Sequence, residues 1–280
     1  MKKTAPVNKI IPFSNVDGPG NRTSIFFQGC SLECLFCHNP ETIRLCRHCG
    51  ACVPVCPAHA LRESGGRVVW NPSACVQCDA CLKACPHLAS PRVREMTAEE
   101  VFAEIRRTAP YIDGITVSGG ECSLRHAFLQ ELFPMVHSLG KTCLMDSNGS
   151  LDYRQFPALL SECDGVMLDI KAVDLQWCRT LLGNDGRMPL ANLDFLLQAG
   201  RLQEVRTVIF PGFPEENGRT VRYVAERIGD RCDYKIIRYR PFGARPDGIR
   251  LLGDECTAQE DAEAYAALAR SLGASRARVI

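Results

Sequence analysis

Three closely spaced cysteines constrain this chain of 280 residues more than any other feature. Cys30, Cys34 and Cys37 have three and then two residues between them, and Cys46 begins a separate series. Three thiolates on a cluster of four irons and four sulfides leave one iron free to bind a small molecule. The pattern therefore predicts a cluster that takes part in chemistry. A zinc site completed by His38 is the alternative, but a closed zinc site would not need the sulfur pattern that follows.

Residues on both sides of these cysteines extend the pattern. Phe36 stands directly before the third cysteine, Asp-Gly-Pro-Gly-Asn-Arg occupies positions 17–22, and Cys-His-Asn-Pro-Glu-Thr occupies positions 37–42. Together they resemble the motif of radical S-adenosylmethionine (SAM) enzymes, and specifically of the glycyl-radical-enzyme activating enzymes similar to pyruvate formate-lyase activase. The resemblance implies that Phe36 and His38 contact the cofactor and that Asp17 lies beside an incoming loop of a protein partner.

The resemblance also implies an activity. SAM would bind the open iron through its amino and carboxylate groups, and one electron would cleave it to methionine and a 5′-deoxyadenosyl radical. The radical would abstract a hydrogen atom from a backbone glycine of a partner glycyl radical enzyme. Two other classes stay open. A radical SAM enzyme acting on a small molecule or nucleobase would turn over without a protein partner, whereas an iron–sulfur electron carrier would have no use for SAM motifs.

Eight further cysteines form an internal repeat. The run Cys-x2-Cys-x2-Cys-x3-Cys-Pro begins at position 46 and again at position 75, an offset of 29. In bacterial ferredoxins the fourth cysteine of each such run binds the other cluster. The repeat thus predicts one [4Fe-4S] cluster on Cys46, Cys49, Cys52 and Cys85, and another on Cys75, Cys78, Cys81 and Cys56. We expect an inserted ferredoxin-like domain with two [4Fe-4S] clusters at residues 45–91, and interpret both clusters as relays from an external ferredoxin or flavodoxin. A pair of zinc knuckles is the alternative.

Outside the insert, apolar strand-like runs alternate with helical patterns, which favours an α/β fold with a parallel sheet. The predicted strands are residues 23–28, 115–117, 142–145, 166–170, 205–210 and 235–239. The predicted helices are residues 97–108, 124–138, 153–162, 174–182, 189–199, 218–228 and 257–272. We expect Thr97 and Thr257 to cap their helices and Pro134 to kink or split its helix. The resemblance implies that residues 1–44 and 92–280 form the open (β/α)6 partial barrel of radical SAM enzymes.

Distinctive residues follow the predicted strand ends, where barrels of parallel strands place their functional groups. Ser-Gly-Gly-Glu at positions 118–121 resembles the motif that binds the methionyl amino group of SAM. Paired glycines let the backbone approach a ligand, and a carboxylate can accept hydrogen bonds from an ammonium group. Arg206 stands five residues before a Pro-Gly pair and offers a bidentate clamp for a carboxylate. The resemblance assigns SAM contacts to Gly119, Gly120, Glu121, Asp169, Lys171, Arg206 and Arg240.

Two positions depart from the family pattern. Cys122 stands where proline is usual, and we interpret it as a small packed residue. Arg240 stands where the similar activases have histidine, which puts the adenosyl-facing contact there in doubt. The resemblance further implies a monovalent cation, because hard oxygen ligands suit an alkali ion. Its predicted ligands are Asp146, Ser147, Met167 and Asp169. A salt bridge between Asp169 and Lys171 is the alternative.

Composition excludes several partners. Lysine and arginine total 33 against 32 aspartates and glutamates, so the net charge of +1 gives no general attraction to nucleic acid or to an anionic membrane. We find neither a signal peptide nor an apolar run of membrane-spanning length. Eleven of the 17 cysteines fall into metal-ligand spacings. We therefore expect a monomeric protein of a reduced, anaerobic cytoplasm.

Overall fold

The structure is a computed structural model that describes residues 3–280, so Met1 and Lys2 of the predicted barrel lie outside the described residues. Its main feature is an open sheet with strand order β11-β10-β9-β8-β7-β6-β2-β1-β5. The strands are β1 (Thr4–Ser14), β2 (Arg22–Phe27), β5 (Arg94–Thr97), β6 (Gly114–Gly119), β7 (Thr142–Ser147), β8 (Gly165–Asp169), β9 (Leu202–Ile209), β10 (Asp233–Arg238) and β11 (Ala277–Val279). From β2 to β11 all neighbours in this sheet are parallel, whereas β1 runs antiparallel to β2 and β5.

Helices connect the parallel strands, and most of them pack against one face of the sheet. They are α2 (Ala98–Thr108), α3 (His126–His137), α4 (Pro157–Glu162), α5 (Leu175–Leu182), α6 (Arg187–Gln198), α7 (Pro214–Ile228), α8 (Pro246–Leu252) and α9 (Gln259–Ser271), with α1 (Ala80–Lys83) in the cysteine-rich segment. Short 3-10 helices span Pro40–Thr42, Ala109–Tyr111, Cys122–Arg125 and Tyr153–Gln155. Across the described chain, no helix is both long and apolar enough to cross a membrane.

The two faces of the sheet differ in chemistry because side chains alternate along a strand. On β2, Ile25 and Phe27 pack with the helices in the main core, whereas Arg22 and Ser24 are buried on the opposite face. The same alternation places Glu204 on the inner face of β9. A parallel sheet covered by apolar layers on both sides would show nearly continuous hydrophobic strands. The alternation therefore builds a polar inner face that can hold a ligand.

All six predicted strands are present, with small shifts at their ends. The antiparallel strands β1 and β5, the edge strand β11 and the helix α8 were not predicted, because they are short or lack a clear hydrophobic period. The predicted helix at 153–162 is divided into a 3-10 turn and α4, which begins at Pro157.

Pro134 does not split its helix, since α3 continues through it to His137, and the alternative, a kink at Pro134, stays a prediction. The prediction for Thr257 was wrong. Thr257 does not cap the last helix. Its hydroxyl donates to the carbonyl of Ile209 at 2.5 Å, and α9 begins at Gln259, two residues later.

The cysteine-rich segment contains a second, two-stranded sheet. It is an antiparallel hairpin that joins β3 (Leu61–Ser64) to β4 (Arg67–Trp70). Left-handed backbone conformations recur in pairs separated by 29 positions: His48 with Gln77, Gly50 with Asp79, and His59 with Leu88. The cysteine repeat is therefore also a repeat of backbone conformation.

The cap of α2 gives a testable prediction for the fold. The Thr97 hydroxyl accepts from the Glu100 N–H, and the Glu100 carboxylate accepts from the Thr97 N–H at 2.8 Å. Thr97→Ala should lower the free energy of unfolding by about 1 kcal/mol, because it removes one half of this capping box. Urea unfolding followed by circular dichroism measures the change. Thr97→Ser is the control, because its hydroxyl keeps the cap, and equal midpoints for both variants would contradict the prediction.

Candidate SAM and iron–sulfur site

Cys30, Cys34 and Cys37 lie on one loop that leaves the carboxyl end of β2. The Cys30 N–H donates to the carbonyl of Ile43 at 2.8 Å, which ties the two ends of the loop together. The N–H groups of Glu33 and Leu35 donate to carbonyls of the last turn of α5, each at 2.9 Å. The loop is therefore held by backbone hydrogen bonds, and its three thiols need no contact of their own to be positioned.

The chemistry and spacing of these thiols fit a cluster. The three cysteines belong to one apolar cluster, in which Cys34 is buried and Cys30 and Cys37 are partly buried. Three thiols gathered on one loop are the ligand set that the sequence predicts for a [4Fe-4S] cluster with one open iron.

The loop surrounds its thiols with apolar protein. Burial raises the pKa of Cys30 to about 11 and that of Cys34 to about 12, while Lys171 opposes both shifts. Burial also lowers the pKa of Lys171, but Asp169 and the Cys34 thiol raise it by more, so this ammonium stays charged. An isolated thiolate is costly here, and a bound cationic centre would stabilise it.

Phe36 and His38 flank Cys37 in the sequence and make different contacts. Phe36 is buried and packs edge-on against Phe210 with ring centroids 4.9 Å apart, and the Lys171 ammonium lies 5.5 Å from its ring centroid. The His38 imidazole contacts the backbone carbonyl of Arg240 at 3.1 Å. The Arg240 side chain itself is exposed. A cofactor contact for His38 or Arg240 stays a prediction.

Gly119 and Gly120 bring the end of β6 against the cysteine loop. A Cβ at Gly119 would collide with the backbone of Phe27, and one at Gly120 would collide with the carbonyl of Gly29. The N–H of Gly120 donates to the Phe27 carbonyl at 2.9 Å. The predicted close approach of the backbone is thus present, and in the structure Gly119 and Gly120 approach the start of the chain's own cysteine loop.

Glu121 is buried, and its carboxylate already accepts several hydrogen bonds. Its carboxylate accepts from the N–H of Ser123 at 3.0 Å, the N–H of Asn148 at 2.8 Å and the hydroxyl of Ser147 at 2.8 Å. Burial raises the pKa of Glu121, and these hydrogen bonds oppose the rise. Asn148 in turn directs its amide toward the Cys30 sulfur at 3.5 Å. Glu121 therefore holds the loop after β7 in place beside the first cysteine.

Arg206 is the centre of an ion-pair network on the inner face. Its guanidinium contacts Asp146 at 3.0 Å and Glu204 at 2.5 Å, and Nη2 lies 3.2 Å from the sulfur of Met167. Burial lowers the pKa of Arg206, but Asp146 and then Glu204 raise it by more. Glu204 also pairs with Lys235 at 2.7 Å. The side chain is thereby fixed and fully charged.

The predicted cation ligands have mixed surroundings. The salt bridge between Asp169 and Lys171, which was the alternative reading, is formed at 2.8 Å. The Ser147 hydroxyl donates to Glu121 and accepts from the Tyr153 hydroxyl at 2.7 Å, so it is already engaged. Asp146 accepts from the Ser118 hydroxyl at 3.0 Å besides its contact with Arg206. Cys122, which follows the Gly-Gly-Glu motif, is buried, in agreement with its interpretation as a small packed residue.

Asp17 lies away from the cysteine loop, in the segment that enters β2. Its carboxylate accepts from the hydroxyls of Ser14 at 2.6 Å and Ser24 at 2.7 Å, and its carbonyl accepts from Thr116. Ser24 and Thr116 pair directly across β2 and β6. Asp17 therefore faces the middle of the strands from the inner side.

The eight cysteines of residues 45–91 gather around two cavities. One cavity is lined by Cys56, Cys75, Cys78 and Cys81. The other is lined by Cys46, Cys49, Cys52 and Cys85. These are the two predicted ligand sets, including the exchange of the fourth cysteine between the runs.

Sequence reasoning missed Glu204 and Lys235. Both are charged, and both are buried within strands of the main sheet. Glu204 is two residues before Arg206, so the alternation of side chains puts them on the same face. The two-residue spacing between Glu204 and Arg206 was the sequence signal that could have identified Glu204.

Comparison with known proteins agrees with this arrangement. The family model of the radical SAM superfamily matches residues 24–228. A Haemophilus influenzae protein described as a glycyl-radical enzyme activating enzyme is 29% identical over 97% of this chain and 95% of its own length. The indoleacetate decarboxylase activating enzyme of Tractidigestivibacter scatoligenes is 30% identical over 86% of this chain and 84% of its own length.

A solved structure shares the fold. SuiB of Streptococcus suis superposes with a TM-score of 0.53 at 12% identity, covering 91% of this chain and 46% of SuiB. The predicted α/β fold with a partial, barrel-like sheet is thus confirmed. The chain belongs to the radical SAM superfamily, among its glycyl-radical enzyme activating enzymes.

Proposed function

We propose that this protein activates a partner glycyl radical enzyme by reductive cleavage of SAM. The observation that carries the proposal is the convergence of the cysteine loop with Lys171, Glu121 and Arg206 at the carboxyl ends of the parallel strands. When bound by the three cysteines, a [4Fe-4S] cluster supplies the electron that cleaves SAM to methionine and a 5′-deoxyadenosyl radical. This radical takes a hydrogen atom from a backbone glycine of the partner.

The chain's own residues would bind and orient SAM. Arg206 has five N–H groups, of which three are directed at Glu204, Asp146 and Met167. Two remain for the methionyl carboxylate, and its charged, fixed guanidinium needs little reorganisation to bind. Lys171, held by Asp169 beside Phe36, offers a second cation for the carboxylate or the ribose.

The surface around Asp17 suits a protein partner. Phe13, Val16 and Tyr111 expose 52%, 76% and 70% of their surfaces beside this segment. Asn21 fixes Tyr111 to the segment by donating to its carbonyl at 2.7 Å. Exposed apolar groups of this kind are typical of interaction sites. A glycine-bearing loop would contact them and enter the open side of the sheet near Asp17.

Further parts of the proposal concern cofactors and electron supply. Two [4Fe-4S] clusters in residues 45–91 would bring the total to three, and an external ferredoxin or flavodoxin would reduce them. A monovalent cation between Asp146, Ser147, Met167 and Asp169 would neutralise the carboxylates. We propose that the protein is a monomer apart from its partner.

Anaerobic reconstitution tests the cluster assignment. The intact protein should bind about 12 irons and form 5′-deoxyadenosine when reduced with SAM, whereas the variant Cys30→Ala, Cys34→Ala, Cys37→Ala should bind about 8 and form none. Cys256→Ala, at an exposed cysteine, is the control and should match the intact protein. Equal 5′-deoxyadenosine from the triple variant would contradict the proposal.

Arg206→Lys tests the SAM clamp. Lysine keeps the charge but lacks the planar pair of donors, so kcat/KM for SAM should fall roughly 10- to 100-fold, the loss expected for a charge-assisted hydrogen bond of about 1.5–3 kcal/mol. Steady-state formation of 5′-deoxyadenosine at varied SAM gives the value. Arg222→Lys, at an exposed residue of α7, is the control. An unchanged kcat/KM in a variant with full iron content would rule out the contact.

A further inference from the structure

The two cysteine cavities of residues 45–91 are related by the 29-residue repeat, but their surroundings are not equivalent. Position 79 in the second half is aspartate and forms an ion pair with Arg92 at 2.6 Å. In the first half, Gly50 is the equivalent of Asp79, and Glu63 is the equivalent of Arg92. The Glu63 carboxylate lies so close to Gly50 that a Cβ there would collide with it. Arg92 and Asp79 both line the cavity of their ligand set, whereas Glu63 is exposed and does not line the other cavity.

The donors beside Cys75 are directed inward. Arg92 and Trp70 both line the cavity formed by Cys56, Cys75, Cys78 and Cys81. The Trp70 indole N–H is buried and has no hydrogen-bond partner within residues 3–280. A buried N–H without a partner is unfavourable by about 1–3 kcal/mol, so this position calls for an acceptor.

The other cavity has different donors. Arg47 and His87 line it, and the Arg47 side chain is exposed, so water screens its charge. The Arg92 side chain is only 19% exposed and is fixed by its ion pair. The cavity beside Cys75 is therefore lined by an indole N–H and a largely buried guanidinium, and the lining of the other cavity has neither.

We infer that Arg92 and Trp70 donate to the sulfurs of the cluster held by Cys56, Cys75, Cys78 and Cys81 and make it the more easily reduced of the two. The inference rests on the proposed presence of both clusters. Reduction adds one electron to a cluster, taken from dithionite or an external ferredoxin, and increases the negative charge on its sulfurs. Hydrogen bonds to those sulfurs stabilise the reduced form and raise the reduction potential. The first electron delivered to this segment would then rest on the cluster beside Arg92.

Potentiometric titration of the reconstituted full chain, followed by electron paramagnetic resonance (EPR), tests this inference. Trp70→Phe removes only the indole N–H, and Arg92→Gln removes the guanidinium charge. Each should make one cluster about tenfold harder to reduce, about 59 mV for a one-electron couple. The cluster whose spectrum changes when SAM is added, and the second cluster of the segment, should keep their potentials.

Arg67→Gln is the matched control, since it removes a positive charge from an exposed position on the same hairpin. It should leave every potential at the value of the unsubstituted protein. Unchanged potentials in both test variants, with about 12 irons retained, would overturn the inference while leaving the proposed clusters intact. An unsubstituted protein that binds only about 4 irons would instead overturn the proposed clusters, and the inference with them.

Discussion

Neutralising buried charge on the inner face of the sheet is the constraint on which the site depends. Charged groups that leave water must be paired, or they lose their charge. Asp146, Arg206, Glu204 and Lys235 meet this requirement across β7, β9 and β10. Because Asp146 and Glu204 raise the pKa of Arg206 by more than burial lowers it, the guanidinium stays charged in a nearly dry environment. A charged, fixed group of this kind can bind a carboxylate with little further cost.

The cysteine loop depends on contacts at the same end of the sheet. Gly120 allows the backbone after β6 to touch the backbone before Cys30, and Glu121 secures the next loop, which carries Asn148. Side-chain hydrogen bonds therefore connect the ends of three neighbouring strands to the first cysteine. The glycine and glutamate motif thus has a structural role in this chain in addition to its proposed contact with SAM.

Much of this was accessible from sequence, for physical reasons. Cysteine spacing encodes cluster ligation directly, so the two ligand sets of the insert could be written down from the repeat, and the structure gathers the same residues. Buried strands carry a strong apolar signal, whereas β1, β5 and β11 depend on pairing that no local pattern encodes. Thr257 resembled a helix cap, but a tertiary hydrogen bond to Ile209 uses its hydroxyl. Lys235 was missed because its ion pair with Glu204 joins two strands and no local pattern encodes it, whereas the two-residue spacing to Arg206 could have identified Glu204.

The origin of the hydrogen atom in 5′-deoxyadenosine tests the proposed activation most directly. A glycyl radical enzyme would be produced with glycine deuterated at Cα and mixed with the reduced, reconstituted protein and SAM under anaerobic conditions. We expect 5′-deoxyadenosine that carries one deuterium, together with the EPR signal of a glycyl radical on the partner. Unlabelled 5′-deoxyadenosine, formed equally well without any glycyl radical enzyme in a panel of candidates, would contradict the account and favour a small-molecule substrate.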